Sequence, residues 1–175
     1  MVKKICLIIC LVLIFGEIVS AQSVGTITEN IKLLVTNGLS LKKIGGNINF
    51  GEVIATNSRQ WKTIKPNNGA RFVVTGYANR KVTINYTRKV TLYNNKWVDD
   101  FGGSKSNMRF ISHVRRTGKN SAYVNPRRVR SGRKYKLKNS NGIGKLYLWV
   151  GGRIKIKANQ PEGKYIGTFT ITVAY

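Results

Sequence analysis

Turn-forming residues divide the chain after Gln22 into short segments, and this pattern constrains the fold more than any other feature of the sequence. The segments between the turns are rich in Val, Ile, Thr, Tyr and Phe, which favour β-strands. Gly and Asn supply the positive φ angles that tight turns need. The pattern predicts an antiparallel sandwich or barrel without a long amphipathic helix. The predicted turns lie at 45–47, 66–69, 94–95, 102–104, 139–142, 151–152 and 159–163.

Several segments alternate between apolar and polar residues, as strands with one buried face do. Val82, Ile84 and Tyr86 are expected to face the core, whereas Leu146–Val150 is apolar on both faces and is expected to be a central strand. Alternation fades over 101–133, where we expect long loops with about two strands among them. The chain ends in its clearest alternation, and the expected core-facing residues there are Phe169, Ile171, Val173 and Tyr175.

The N-terminus has the three parts of a secretory signal peptide. Two lysines precede the apolar run Ile5–Phe15, and Val19-Ser20-Ala21 provides a small-residue cleavage site. The run is too short for a membrane span, which needs about 20 apolar residues. We therefore predict a signal peptide over 1–21, a single β-sandwich or barrel domain over 22–175, and no transmembrane segment in the mature chain. Both cysteines lie inside the predicted signal peptide.

Residues suited to catalysis are scarce. The chain has six Asp and Glu residues and a single histidine, His113. A lone histidine without a nucleophile motif is typical of a structural role. Asp99 and Asp100 are expected in a solvated turn after Trp97 and not as facing carboxylates. No phosphate-binding glycine motif is present, and the mature chain has no cysteine or histidine cluster. We expect a protein that is not an enzyme and holds no cofactor or metal.

The positive charge is the strongest functional signal. Lys and Arg total 31 and the formal net charge is +25, and sixteen of these cations lie between Asp100 and Glu162 with no acid among them. Such a field attracts polyanions, and alternation would set cations about 6.8 Å apart along a strand. The alternative is that the cations only hydrate the surface and protect sheet edges. The candidate polyanion-binding residues are Arg127, Arg128, Arg130, Arg133, Lys134, Lys136, Lys138, Arg153, Lys155 and Lys157.

The two ends of the mature chain suggest a second kind of contact, because an exposed sheet edge can accept a strand from another subunit. Apolar residues alternate near the mature N-terminus and continue through Leu39 and Leu41. The alternative is a first strand that pairs within its own domain. The strand-assembly candidates are Ile31, Leu33 and Val35 near the start and Phe169, Ile171, Val173 and Tyr175 at the end.

The closing segments, Gly151–Ile154 and Ala158–Tyr175, resemble the end of a bacterial secreted family catalogued as a domain of unknown function, and Ile48–Ile54 is similar to a phenylalanine-glycine strand of that family. The closing segment contains glycine, tyrosine, glycine, threonine and phenylalanine at 163, 165, 167, 168 and 169. The aromatic finish is also similar to pilin subunits of the spore-coat-U and archaic chaperone-usher type. These resemblances imply an antiparallel immunoglobulin-like β-sandwich, export and assembly into a surface fibre, and no catalytic residues. The basic middle departs from the family by its charge.

Together these features predict an exported, non-enzymatic structural or adhesive subunit, fimbria-like in its assembly through terminal strands with copies of itself or sibling subunits. The alternative is a monomeric basic module that binds anionic polymers, namely polysaccharide, lipopolysaccharide or extracellular DNA. Either protein would act in the periplasm, at the cell surface or outside the cell.

Overall fold

The computed structural model describes residues 38–102 and 107–175. Within them the chain forms eleven strands, one short α-helix, α1 (Asn95–Phe101), and one turn of 3-10 helix at Pro66–Asn68. The predicted signal peptide and the candidates Ile31, Leu33 and Val35 lie outside the described residues. The strands are β1 (Ser40–Gly45), β2 (Gln60–Ile64), β3 (Ala70–Tyr77), β4 (Lys81–Tyr86), β5 (Lys89–Tyr93), β6 (Asn107–Arg116), β7 (Arg127–Arg128), β8 (Arg133–Lys136), β9 (Lys138–Ser140), β10 (Ile143–Ile156) and β11 (Ile171–Ala174).

A large antiparallel sheet is built around β10, which is fourteen residues long. On one side β10 pairs with β3 and then with β2, and on its other side with β9 and then with β6. β1 continues the sheet beyond β3, whereas β5 and β7 both pair with β6. The central position predicted for Leu146–Val150 is therefore confirmed.

A smaller sheet of β11, β4 and β8 packs over β1, β3 and the first half of β10 in the large sheet. Val82 and Ile84 of β4 are fully buried between the sheets, in the same core cluster as Val74 and Leu148. Lys81, Thr83 and Asn85, which alternate with these residues on β4, point outward as predicted. Two antiparallel sheets around a shared core confirm the predicted immunoglobulin-like β-sandwich.

A second apolar cluster lies under the other end of the large sheet, where loops take the place of the small sheet. Phe110 and Ile154 are buried there, and the Phe50 ring meets the Phe110 ring edge to face at 5.9 Å. The prediction of a strand over Ile48–Ile54 is wrong, because the segment has no strand pairing and instead packs as a loop. Asn49 Oδ1 accepts the Gly51 N–H at 2.8 Å, which turns the chain so that its apolar side chains reach this cluster.

The predicted turn at Gly151-Gly152 is also wrong, because both residues lie inside β10. The partner of β10 changes here from β3, which begins opposite Val150, to β2, which ends opposite Gly152. The connecting chain crosses so closely that a Cβ on Gly151 would lie 2.3 Å from the Ile64 carbonyl oxygen. Glycine is therefore required for close packing of backbones and not for a turn.

The segment 101–133 contains more regular structure than its sequence suggests. β6 is ten residues long, with Met108, Phe110 and Val114 buried along one face. Arginines lie among the residues of its other face, and Ser112 occupies the remaining buried position, so the hydrophobic pattern is weak although the strand is long. Asp99 and Asp100 lie on α1 and not in a turn, and Lys96 Nζ is 2.8 Å from Asp100 Oδ2.

Candidate polyanion-binding face

Six cations cluster on one part of the outward surface of the large sheet, and we call this part the basic face. They come from β5, β6, β7 and β10, whose other surface faces the apolar core. Successive strand residues point to opposite sides, so burying the apolar residues turns the cations outward. The basic face consists of Lys89, Arg109, Arg115, Arg128, Arg153 and Lys155.

The strand register brings like charges directly opposite one another on the basic face. Lys155 of β10 is paired with Arg109 of β6. At the other end of β6, Arg115 is paired with Arg128 of β7. Side chains of directly opposed residues lie about 5 Å apart at their Cβ atoms, and like charges at that spacing destabilise a sheet.

No acid compensates these pairs within the described part of the chain. The four described acids lie in loops or on α1, and the one ion pair between described residues joins Lys96 to Asp100. The acids are Glu52, Asp99, Asp100 and Glu162. The described part of the chain therefore leaves the positive charge of the basic face uncompensated, and such a field attracts anions.

An exposed aromatic ring borders the basic face. The Arg153 guanidinium lies 4.4 Å from the centroid of the Trp61 ring, within cation–π range. Trp61 belongs to β2, pairs with Lys155 in the register of the sheet and remains 48% exposed. A flat ring beside a row of cations provides a surface on which a base or a sugar ring can stack while the polymer's charges meet the cations.

A pocket of about 380 Å³ opens at one corner of the basic face. It lies on the side of β6 away from β10, where no described strand pairs with residues 112–114, between the start of β5 and the short β7. His113 points outward in this gap. Five cations line the pocket with it: Arg88, Lys89, Arg115, Arg128 and Arg153.

Beneath the pocket, two hydrogen bonds hold the chain at the places where it crosses between the sheets. Ser112 Oγ donates to the Thr87 carbonyl at 2.8 Å, where the chain crosses from β4 to β5. The Tyr86 hydroxyl donates to the Val129 carbonyl at 2.9 Å, where the chain leaves β7 for β8. Burial raises the pKa of Tyr86, although the nearby charges of Arg128 and Arg88 oppose that rise. The phenol therefore stays neutral and keeps its hydrogen bond.

His113 carries little positive charge near neutral pH when the pocket is empty. Partial burial lowers its pKa below the usual value, and the charges of Arg153, Arg115 and Arg128 lower it further. None of these neighbours is an acid that could stabilise the imidazolium. An anion bound in the pocket would therefore change the pKa of His113 strongly.

The structure separates the ten cations predicted from the sequence. Arg128, Arg153 and Lys155 belong to the basic face. Lys134 and Lys136 are exposed on the outer surface of the small sheet, on the opposite side of the sandwich. The chain passes between the sheets at Leu137, which is fully buried.

The remaining predicted cations lie at the borders of the sandwich. Arg133 is on the small sheet, Arg130 is in the turn before it, and Arg127 is paired with Arg116 at the end of β6. Lys138 pairs with Lys145 at the far end of β10, and Lys157 Nζ donates to Asn107 Oδ1 at 3.3 Å. Lys134 with Lys136 and Arg153 with Lys155 therefore each lie along one strand, but the ten cations do not form one surface.

The last strand is paired inside the domain. Ile171 and Val173 are buried in the core, and Phe169 packs partly buried beside Tyr86. The Tyr175 ring stacks on Tyr77 and its hydroxyl accepts the Tyr77 N–H at 2.8 Å. Side chains predicted for assembly at this end therefore have internal partners.

Part of the proposed N-terminal donor stretch is also internal. Leu39 and Leu41 are buried, and Leu41 lies opposite Val74 in the pairing of β1 with β3. Leu39 and Leu41 therefore belong to the core of their own domain, as the alternative expects.

Metal-ligand clusters and membrane-spanning helices are both absent from the described ranges. Among residues 38–102 and 107–175, no three His, Cys, Asp or Glu side chains are grouped as metal ligands. No helix in the same ranges has the length and apolar character to span a membrane.

Comparison with known proteins places the chain with one family. A family model described as Domain of unknown function (DUF4402) matches residues 11–175. No curated protein and no solved structure matches the chain.

Proposed function

This chain belongs to the family described as Domain of unknown function (DUF4402), and from that premise we propose that it is an exported, non-enzymatic protein that binds anionic polymers through its basic face. The polymer classes that suit this face are anionic polysaccharide, lipopolysaccharide and DNA outside the cell. Export is supported by the signal peptide predicted over 1–21, which would deliver the protein to the periplasm, the cell surface or the medium.

The opposed like charges carry this proposal. Lys155 faces Arg109 and Arg115 faces Arg128, with no described acid near either pair. Each pair costs free energy in the isolated protein. The negative charges of a polyanion lying across β6 and β10 would attract these cations and offset the repulsion between them. Surface hydration alone does not require cations at directly opposed positions.

Salt dependence of polymer binding tests the proposal. Because binding would release counterions, the dissociation constant for heparin should rise steeply between 50 and 300 mM NaCl, by about tenfold or more. The measurement is a fluorescence titration of the purified protein, with neutral dextran of similar length as the matched control polymer. Dextran should not bind. Heparin binding that is insensitive to salt, or absent at 50 mM NaCl, would show that the proposal is wrong.

A second function, assembly through strands, is favoured by the free edge of β11. The Thr87 N–H donates to the Thr170 carbonyl, so by antiparallel alternation the backbone groups of Ile171 and Val173 point away from β4. Among the described residues no strand pairs with this edge. The apolar segment 31–35 of a second copy or a sibling subunit suits such an edge.

Sedimentation velocity distinguishes this second function. Assembly predicts oligomers that grow with protein concentration, resist 0.5 M NaCl and disappear when residues 22–37 are deleted. The deletion stops at 37 because Leu39 and Leu41 belong to the core. A monomer at every concentration, in both the intact and the shortened protein, would rule assembly out.

A further inference from the structure

The pocket around His113 differs from the rest of the basic face because its cations converge on one space. Arg115 reaches it from β6, Arg128 from β7 and Arg153 from β10. Arg88 and Lys89 approach from the chain that enters β5. Elsewhere on the face the cations lie side by side on an open sheet. A long polymer can cross such a sheet, but only a compact group can enter the pocket.

We propose that this pocket is a discrete site for one compact dianion, a phosphate monoester or free sulfate, and that His113 takes up a proton when the dianion binds. The inference rests on the proposed function, because the phosphate monoester would be a terminal or branching substituent of the polymer that crosses the basic face. It adds a site with a defined stoichiometry to a surface that would otherwise bind charge without preference.

The chemistry of the lining favours a dianion. Guanidinium groups donate paired hydrogen bonds to the oxygens of sulfate and phosphate. Four arginines and a lysine line the pocket at the gap beside residues 112–114, and among residues 38–102 and 107–175 no acid lines it. A compact group with two negative charges neutralises more of this cluster than a carboxylate or a phosphodiester, each of which carries one.

The surroundings of His113 couple binding to protonation. Each neighbouring element presents a cation or a neutral group to the imidazole, so the empty pocket disfavours the charged form. A dianion in the gap would reverse that field and raise the pKa of His113. Binding would then take up a proton and strengthen as the pH falls. The groups that face His113 are Ile111 and Arg115 of β6, Gly151 and Arg153 of β10, Arg128 of β7, Lys89 of β5 with Arg88 just before it, and Tyr86 of β4.

Proton NMR of the imidazole provides a direct test, since His113 is the only histidine in the chain. Sodium sulfate is the first probe because sulfate does not titrate between pH 5.5 and 8, and sodium chloride keeps the ionic strength constant. We expect a saturable shift of the His113 resonance with one sulfate per chain. We also expect sulfate to bind about fivefold more tightly at pH 5.5 than at pH 8.

Two pairs of substitutions locate the site. Arg128→Gln with Arg153→Gln should weaken sulfate binding by about tenfold or more, because two of the converging donors are lost. Lys134→Gln with Lys136→Gln removes the same charge from the opposite sheet and should leave the sulfate midpoint within about twofold of the unmodified protein. By calorimetry, His113→Gln should still bind sulfate at pH 8 but lose the pH dependence.

The source of the group is distinguished by comparing free sulfate with a sugar phosphate monoester at pH 8, where both are dianions. A lower midpoint for the sugar phosphate assigns the site to a polymer substituent, and equal midpoints assign it to the free anion, both of which require the dianion site. A linear, unsaturable shift, or equal loss in both pairs of variants, overturns the inference. Heparin binding with no His113 response to free sulfate would overturn it while leaving the proposed function intact, whereas absence of heparin binding would contradict that function.

Discussion

Replacing Gly152 with alanine is expected to lower the free energy of unfolding by about 3 kcal/mol, the upper end of the usual range for overpacking a core. A Cβ at this position would lie 2.4 Å from the Ile111 carbonyl oxygen and 2.4 Å from Cε2 of the buried Phe110 ring. Both obstacles are fixed, one by the sheet and the other by the second apolar cluster. The native protein cannot make room without separating β10 from β6.

Chemical denaturation followed by circular dichroism measures this effect, and Gly51→Ala is the matched control. Gly51 has a φ of 61°, and no atom lies within 4 Å of the place that an alanine methyl group would occupy. The alanine variant therefore reports conformational strain without a steric clash, and we expect it to lose only about 1 kcal/mol. Equal losses in the two variants would contradict the close packing described for β10.

Removing four charges from the basic face is expected to weaken heparin binding by at least tenfold in 0.1 M NaCl. Each cation near a polyanionic surface contributes up to about 1 kcal/mol, less where salt screens it. The dependence of affinity on salt should also become shallower, because fewer counterions are released. The variant carries Lys89→Gln, Arg109→Gln, Arg153→Gln and Lys155→Gln.

Stability should change in the opposite sense to affinity. Arg109 and Lys155 repel each other across two strands, so replacing both removes a destabilising pair. The face variant should therefore unfold at the same denaturant concentration as the unmodified protein or at a higher one. A cation cluster that served only to stabilise the fold would show the reverse, with substitution lowering the unfolding midpoint.

The fold was largely predictable because the alternation of apolar and polar residues within a strand shows which of its side chains are buried. Val82 and Ile84, or Ile171 and Val173, alternate with polar or small neighbours, and each pair is buried as expected. The failures occur where distant chain segments determine the structure. Gly151-Gly152 has the composition of a turn, and only the crossing of the segment after Ile64 explains why glycine is needed inside a strand.

The candidate site was predictable only in part, because the pairing of distant chain segments determines which cations share a surface. Rows of cations along one strand are visible in the sequence, and Arg153 and Lys155 were found in that way. Arg109 and Lys89 were missed, because they join the face through the register of β6 with β10 and of β5 with β6. Conversely, Lys134 and Lys136 share a pattern with Arg153 and Lys155 but lie on the other sheet.

The comparison that tests the central claim most directly is a heparin titration of the face variant beside a charge-matched variant of the small sheet. The control loses the same number of cations from the small sheet, so net charge is equal in the two proteins. We expect the face variant to lose at least tenfold in affinity and the control to lose no more than about threefold. Equal losses would mean that net charge, and not the basic face, determines binding. The control variant carries Lys81→Gln, Arg133→Gln, Lys134→Gln and Lys136→Gln.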